Sequence, residues 1–334
     1  MRCLRFTFLA AAAALLAACG GGSDPAPAPA PPAAPTDAQR IAAAQATVAN
    51  NGRCSAATLG PYYWEVGDGS GPKVWGSVGG GAPGADTVLG IASASKWLYA
   101  MQVLQLRGLR SEDVPYLNFT SGYTRFGLPS CGRDPTVAAC LAGRDARDDA
   151  TIGKFFYDSG HMQVHAGTVM DLGAADNAAL AAGLNNALGV TGLAYAQPQL
   201  AAGVQASARS YATVLGRVLR GELAMRDALG SHKVCANPSL CADALAAPAL
   251  GSNERWNYAL GHWVEDDPAL GDHAFSSAGG TGFYPWIDAA VTHYGVIARE
   301  RVEADAGFHS AECGRLVRQA WRTGVAATGA LPVP

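Results

Sequence analysis

The chain has 334 residues, 49% hydrophobic and 15% charged, so it can bury a large core. That excludes a disordered chain or one that coats nucleic acid, since both carry more charge and fewer apolar residues. Its 24 basic and 27 acidic residues leave a formal charge of −3, which gives no general pull toward DNA, RNA or anionic lipid.

Arg2 and Arg5 precede the 13-residue apolar stretch Phe6 to Ala18, shorter than the roughly 20 residues needed to cross a bilayer. It ends in Leu16-Ala17-Ala18-Cys19, which resembles a bacterial lipobox. The resemblance implies a signal peptide over 1–18 and Cys19 as the lipidated first residue of the mature chain. Residues 19–35 are an Ala/Pro-rich linker, an extended spacer that cannot build a core. The body is therefore expected in the cell envelope, lipid-anchored, periplasm-facing or on the outer membrane, where disulfides persist.

Of eight cysteines, Cys3 leaves with the signal and Cys19 carries lipid, leaving six. Cys131 and Cys140, and Cys235 and Cys241, are close enough in sequence to form local clasps, which leaves Cys54 for Cys313. Six cysteines allow about fifteen connectivities, so this set is a preference. Zinc is disfavoured because the cysteines are scattered and no C-x-x-C occurs.

Thr36-Asp37-Ala38-Gln39 matches a capping box and starts a helix that runs to Asn50-Asn51-Gly52. Residues 61–66 and 73–78 flank a Gly/Pro turn at 67–72 and form a β-hairpin, followed by a loop over 79–84. Residues 94–106 form a helix with Trp97, Met101 and Leu104 on one face. From 107 to 254 the strand signal fades, and helices are expected over 135–143, 161–172, 174–187 and 207–223. Strands return over 256–264, 273–288 and 292–298, before a last helix at about 308–325. The pattern describes an α+β fold: an antiparallel sheet flanked by terminal helices (36–106 and 255–334), with an inserted all-α domain over 107–254.

Ser93-Ala94-Ser95-Lys96 is an S-x-x-K that opens a helix, so Ser93 and Lys96 share a face one turn apart. A lysine partly desolvated there loses its proton and activates the serine hydroxyl, and the helix N-terminus favours developing negative charge. The string alone is weak, since chance gives about 0.2 such motifs in a chain of this kind. Ser70-Gly71-Pro72-Lys73 is another, but its hairpin cannot align the two side chains on a helix.

The order of hairpin, S-x-x-K at a helix start, α-rich insertion and returning strands resembles the serine β-lactamase and penicillin-binding-protein superfamily. The resemblance covers most of residues 37–325. It is strongest to the branch of class C β-lactamases, family VIII-type esterases and 6-aminohexanoate-dimer hydrolases. It implies a β-lactamase/transpeptidase-like fold in which Ser93 is the nucleophile, Lys96 assists it, and Tyr157 of Phe156-Tyr157-Asp158-Ser159-Gly160 shuttles the proton. Ser159 stands where the family usually has Asn, which weakens a substrate-amide contact. The third motif is matched by Ser277-Ala278-Gly279, without its cationic first residue; a register two residues earlier puts Phe275 in that slot, and His273 is too far back. Backbone N–H groups of Ser93 and of the strand near Gly279 would hold the oxyanion. In either register the cation for a substrate carboxylate is missing, which points to a neutral ester or amide, unless the fold brings in Arg125, Arg133 or Arg255.

Other constellations are weaker. His161-x-x-x-His165 has metal-ligand spacing, but Met162 replaces the Glu of a zinc hydrolase, so no metal site is expected. No G-x-S-x-G or nucleotide-binding glycine loop occurs, and no cofactor is expected. Glu265-Asp266-Asp267 reads as a solvated turn. The expected protein is a monomeric envelope serine hydrolase that cleaves a small-molecule or oligomeric carboxylic ester or amide through an acyl-enzyme on Ser93. Its membrane contact is the lipid anchor, and it has no nucleic-acid partner. The alternatives are a D-alanyl-D-alanine carboxypeptidase or β-lactamase, and a non-catalytic envelope binding protein that retains the fold. Catalysis requires the Ser93, Lys96 and Tyr157 side chains to converge in a cleft between the two domains.

Overall fold

Strands from opposite ends of the chain pair with each other: β1 (Tyr62–Asp68) lies antiparallel to β13 (His293–Ala298), with Trp64 opposite Ile297 and Val66 opposite Gly295. The computed structural model describes residues 34–127, 131–248, 254–269 and 271–329. The expected signal peptide, the lipidation site Cys19 and nearly all of the linker lie outside the described residues. Described residues from Pro35 onward belong to one compact unit.

Ten helices lie among the described residues. They are α1 (Asp37–Asn50), α2 (Ala56–Leu59), α3 (Ser95–Arg107), α4 (Val114–Leu117), α5 (Val137–Leu141), α6 (Gly160–Thr168), α7 (Asn177–Leu188), α8 (Ala208–Leu219), α9 (Met225–Ala228) and α10 (Ala306–Thr323). The capping box of α1 is present: the Gln39 N–H donates to Thr36 Oγ1, and the Thr36 N–H donates back to the Gln39 carboxamide. The main sheet has eight strands. Besides β1 and β13 they are β2 (Gly71–Val78), β7 (Val234–Cys235), β9 (Asn257–Ala259), β10 (His262–Glu265), β11 (Ala274–Ser276) and β12 (Tyr284–Ile287), in the order β2-β1-β13-β12-β11-β10-β9-β7. All its pairings are antiparallel. Short strands β3 (Leu89–Gly90), β5 (Ala194–Tyr195) and β6 (Val204–Ala206) form a second sheet. In a third, β4 (Phe155–Phe156) runs parallel to β8 (Ala244–Ala246).

Three differences from the sequence expectation have local causes. The first hairpin is tighter, because Asp68 accepts from the Ser70 N–H and hydroxyl and Gly71 takes φ +124°, which lets the strands run on to 68 and restart at 71. Residues 256–264 are a hairpin rather than one strand. Leu260 and Gly261 both have positive φ, as a two-residue turn with right-handed strand twist requires. Helix α3 is buried from Ser95 to Leu104 rather than along one face, since α7 and α9 pack on it and the Gly261 turn presses on the Lys96 carbonyl.

The acidic run at 265–267 is not a solvated turn. Glu265 is fully buried on β10 and accepts from Arg318 at 2.6 Å and from the Tyr284 hydroxyl at 2.5 Å. Arg318, on α10, also reaches both oxygens of Asp272 at 2.7 and 2.9 Å, and neighbouring Arg315 holds Glu254 at 2.7 Å. Arg318 therefore carries a guanidinium pKa well above its usual range despite burial, because two carboxylates face it.

All three cysteine pairs have the expected partners: Cys54–Cys313, Cys131–Cys140 and Cys235–Cys241, with Cα–Cα distances of 5.0, 5.3 and 6.3 Å. The first ties the start of the fold to α10. No helix among the described residues is long and apolar enough to cross a membrane.

Replacing Arg318 by Met would strand the Glu265 carboxylate in the interior. Arg318→Met is expected to lower unfolding free energy by about 3–5 kcal/mol, read from the urea midpoint. A loss below about 1 kcal/mol would mean the network is solvated after all.

Candidate active site

Ser93 lies in a single 3-10 turn (Ala92–Ala94) between β3 and α3, and each carbonyl around it is held from outside. Ser95 Oγ donates to the Ala92 carbonyl at 2.6 Å and accepts from the Val204 N–H. Ser277 Oγ donates to the Ser93 carbonyl at 3.3 Å, and the Tyr211 hydroxyl to the Ala94 carbonyl at 3.0 Å. Ala92 sits at φ +44°, a left-handed conformation that a side chain resists and that this surrounding lattice maintains. Ser93 is half-buried and lines a pocket, whereas Lys96, one turn on, is 2% exposed.

Lys96 Nζ is 2.9 Å from Ser93 Oγ and 3.0 Å from the Ala201 carbonyl. It lies 4.8 Å from the centroid of the Tyr157 ring and 5.9 Å from that of Phe119. Burial among these rings pushes its pKa down to about 7, with Asp158 pulling weakly the other way. The Tyr157 hydroxyl is pushed up to about 12 by burial, and a hydrogen bond with Ser93 draws it partly back. The structure thus brings Ser93, Lys96 and Tyr157 together. At neutral pH the lysine is the group able to take the serine proton, because the phenol holds its own.

The other expected site residues divide. Ser159 is buried at the start of α6 and does not line the pocket. Its neighbour Asp158 is the residue that matters electrostatically, accepting from the Gly160 and Gly127 N–H groups at 2.7 and 2.9 Å. Ser277 also faces away from the pocket, with its hydroxyl on the Ser93 backbone. Gly279 lines the pocket, but its N–H donates to the Phe283 carbonyl at 2.7 Å, so it is not the oxyanion donor. The next residue, Gly280, has an N–H that makes no hydrogen bond among the described residues, and it lies on the pocket wall. Gly279 is needed for a steric reason: a Cβ there would meet the Ile91 carbonyl at 2.1 Å, so the 278–280 segment could not press against the Ser93 turn.

A pocket of about 170 Å³, as bounded by the described residues, opens in front of Ser93. Tyr157, Pro248, the 278–280 segment and Asp305 to Phe308 at the start of α10 form its wall. Arg125, Arg133 and Arg255 do not line it; Arg125 pairs with Asp148 at the surface. Sequence reasoning passed over Gly280, Asp305 and Gly307. Only an Asp two residues before a glycine at the last helix start could have signalled them.

His161 and His165 do not form a ligand pair. His161 donates through Nε2 to the Phe156 carbonyl and accepts at Nδ1 from Ser121, and burial holds its pKa down at about 3. His165 is bound at 2.7 Å to the Tyr99 hydroxyl and at 3.0 Å to Asp113. Both serve the interior.

No family model matches the sequence, and no curated protein does. Solved structures do match in shape. EstCE1, a hydrolase with promiscuous acyltransferase activity, superposes with a TM-score of 0.61 at 14% identity, over 86% of this chain and 99% of that one. A D-stereospecific amidohydrolase from Streptomyces sp. gives 0.57 at 16% identity, over 87% and 100%. A β-lactamase from Mycobacterium bovis gives 0.53 at 16% identity, over 79% and 96%. At such identities the likeness establishes architecture alone. The chain has the β-lactamase/transpeptidase fold, with an S-x-x-K serine at its pocket.

Proposed function

We propose that the protein is a serine hydrolase that cleaves a carboxylic ester or amide through an acyl-enzyme on Ser93. The observation that carries this reading is the buried Lys96 amine, 2.9 Å from the hydroxyl of a serine that lines the pocket. As a neutral amine it donates one N–H to the Ala201 carbonyl and offers its lone pair to the Ser93 O–H. Ser93 Oγ attacks the substrate carbonyl carbon as its proton passes to Lys96 Nζ. The Ser93 N–H, in the 3-10 turn ahead of α3, and the Gly280 N–H hold the oxyanion. On collapse the C–O or C–N bond breaks, and the leaving group takes the proton from Lys96 by way of the Tyr157 hydroxyl. Water then attacks the acyl carbon by the same steps in reverse, releasing the acid and regenerating Ser93.

No described side chain on the pocket wall is a cation. This weighs against a carboxylate-bearing substrate such as a β-lactam or a D-alanyl peptide, because such a group would lose hydration with no ion to replace it. The assembled Ser93–Lys96 pair weighs against a purely binding role. Location in the envelope under a lipid anchor is part of the proposal, supported by the three disulfides and by the residues before Cys19.

A fluorophosphonate probe should label the wild-type protein at Ser93 and leave Ser93→Ala unlabelled, while a chromogenic cephalosporin should not turn over. Folded wild-type protein that takes no label at Ser93 would sink the hydrolase reading, and rapid cephalosporin turnover would favour the β-lactamase alternative. Below about pH 7 Lys96 carries its proton and cannot act as base, so kcat/KM should rise about tenfold per unit up to that point and level off above it. Lys96→Arg keeps the charge but cannot release the proton, and should lose at least about a hundredfold in kcat. Near-normal activity in that variant would remove Lys96 from the base role.

A further inference from the structure

The pocket wall carries one charged side chain among its described residues, and it is an acid. Asp305 stands at the N-cap of α10 with φ +59°, and its side chain makes no capping hydrogen bond. Among the described residues its carboxylate has no hydrogen-bond or ion-pair partner, and it is exposed. The other lining groups are Ser93, Tyr157, Pro248, Phe308 and small Ala and Gly residues, none of which brings a charge. The nearby basic residues are committed elsewhere: Arg299 to Glu303 and the Ala306 carbonyl, and Arg301 to Glu303. Lys96 lies behind Ser93 and is uncharged in the form that attacks.

Two local fields compete at this rim. The start of the 18-residue helix α10 presents about half a positive charge, while Asp305 presents a full negative one that is not consumed by capping. The sum is negative at the place where the rest of an acyl substrate must lie once its carbonyl is over Ser93.

We propose that Asp305 is a specificity-determining residue that selects substrates carrying a cationic group, such as an ammonium, a few bonds from the scissile carbonyl, and rejects carboxylates. This rests on the hydrolase reading and goes beyond the bias against carboxylate-bearing substrates that it includes.

Three p-nitrophenyl esters of matched size test it: 4-(trimethylammonio)butyrate, its neutral isostere 5,5-dimethylhexanoate, and the glutarate monoester. At low salt the ammonium ester should have a kcat/KM about fivefold above the neutral isostere and the glutarate ester a value below it, both ratios closing toward one as salt is raised. In Asp305→Asn the ammonium-to-neutral ratio should fall toward one, and in Asp305→Lys the order of ammonium and glutarate should invert. Turnover of the neutral ester with no ammonium preference in the wild type, or a preference unchanged in both variants, overturns this proposal alone. Absence of turnover of all three esters together with no fluorophosphonate label at Ser93 overturns the hydrolase reading, and this inference with it.

Discussion

Lysine 96 is taken out of water without a carboxylate at hydrogen-bonding distance, and much of the site is arranged around that fact. A fall from 10.5 to about 7 corresponds to roughly 5 kcal/mol against the charged form. Phe119 and Tyr157 supply the apolar walls, the Ala201 carbonyl gives one acceptor, and Asp158 stays far enough to act only through its field. Asp158 is in turn occupied by backbone N–H groups of Gly127 and Gly160, which keep it from becoming a salt-bridge partner that would hold the proton on the lysine. The same burial raises the Tyr157 phenol, so one desolvated space separates a group able to lose a proton near neutrality from one that keeps it.

The pocket opposite depends on a second constraint, the attachment of α10. Arg315 and Arg318 run from this helix into a buried set of carboxylates and the Tyr284 hydroxyl on the sheet, and Cys313 fixes it to Cys54. Its first turn is thereby pressed toward the 278–280 segment, with a Gly307 Cβ position only 2.7 Å from the Gly279 carbonyl. Gly279 is thus confined from both sides, by Ile91 in front and Gly307 behind. Small residues are required there because backbone meets backbone.

Much of this was legible in the chain. The S-x-x-K spacing placed Ser93 and Lys96 on one helix face, Tyr157 lay in a loop ahead of a helix, and the local cysteine spacings left one long-range pair. What could not be read depends on distant groups. Ser277 and Ser159 match their motifs by position, yet the fold turns Ser277 onto the Ser93 carbonyl and sinks Ser159 at a helix start. Gly279 and Gly280 are indistinguishable as letters, and only the Phe283 carbonyl decides which N–H is taken. Glu265 looked solvated because acidic runs usually are; the arginines that bury it arrive from about 50 residues further on.

The pairing of β1 with β13 also orders events during synthesis. Residues 62–68 can form their hairpin with β2 at once, but the other edge of β1 has no partner until residues 293–298 have emerged. Closing a loop of that length costs roughly 5 kcal/mol in chain entropy before any pairing is gained. The sheet, the α10 anchorage and the wall of the pocket therefore form late and together, after nearly the whole chain is available. A chain halted before β13 would hold the Ser93 turn and the 278–280 segment but lack Asp305 to Phe308, so one wall of the pocket is added only when the fold is finished.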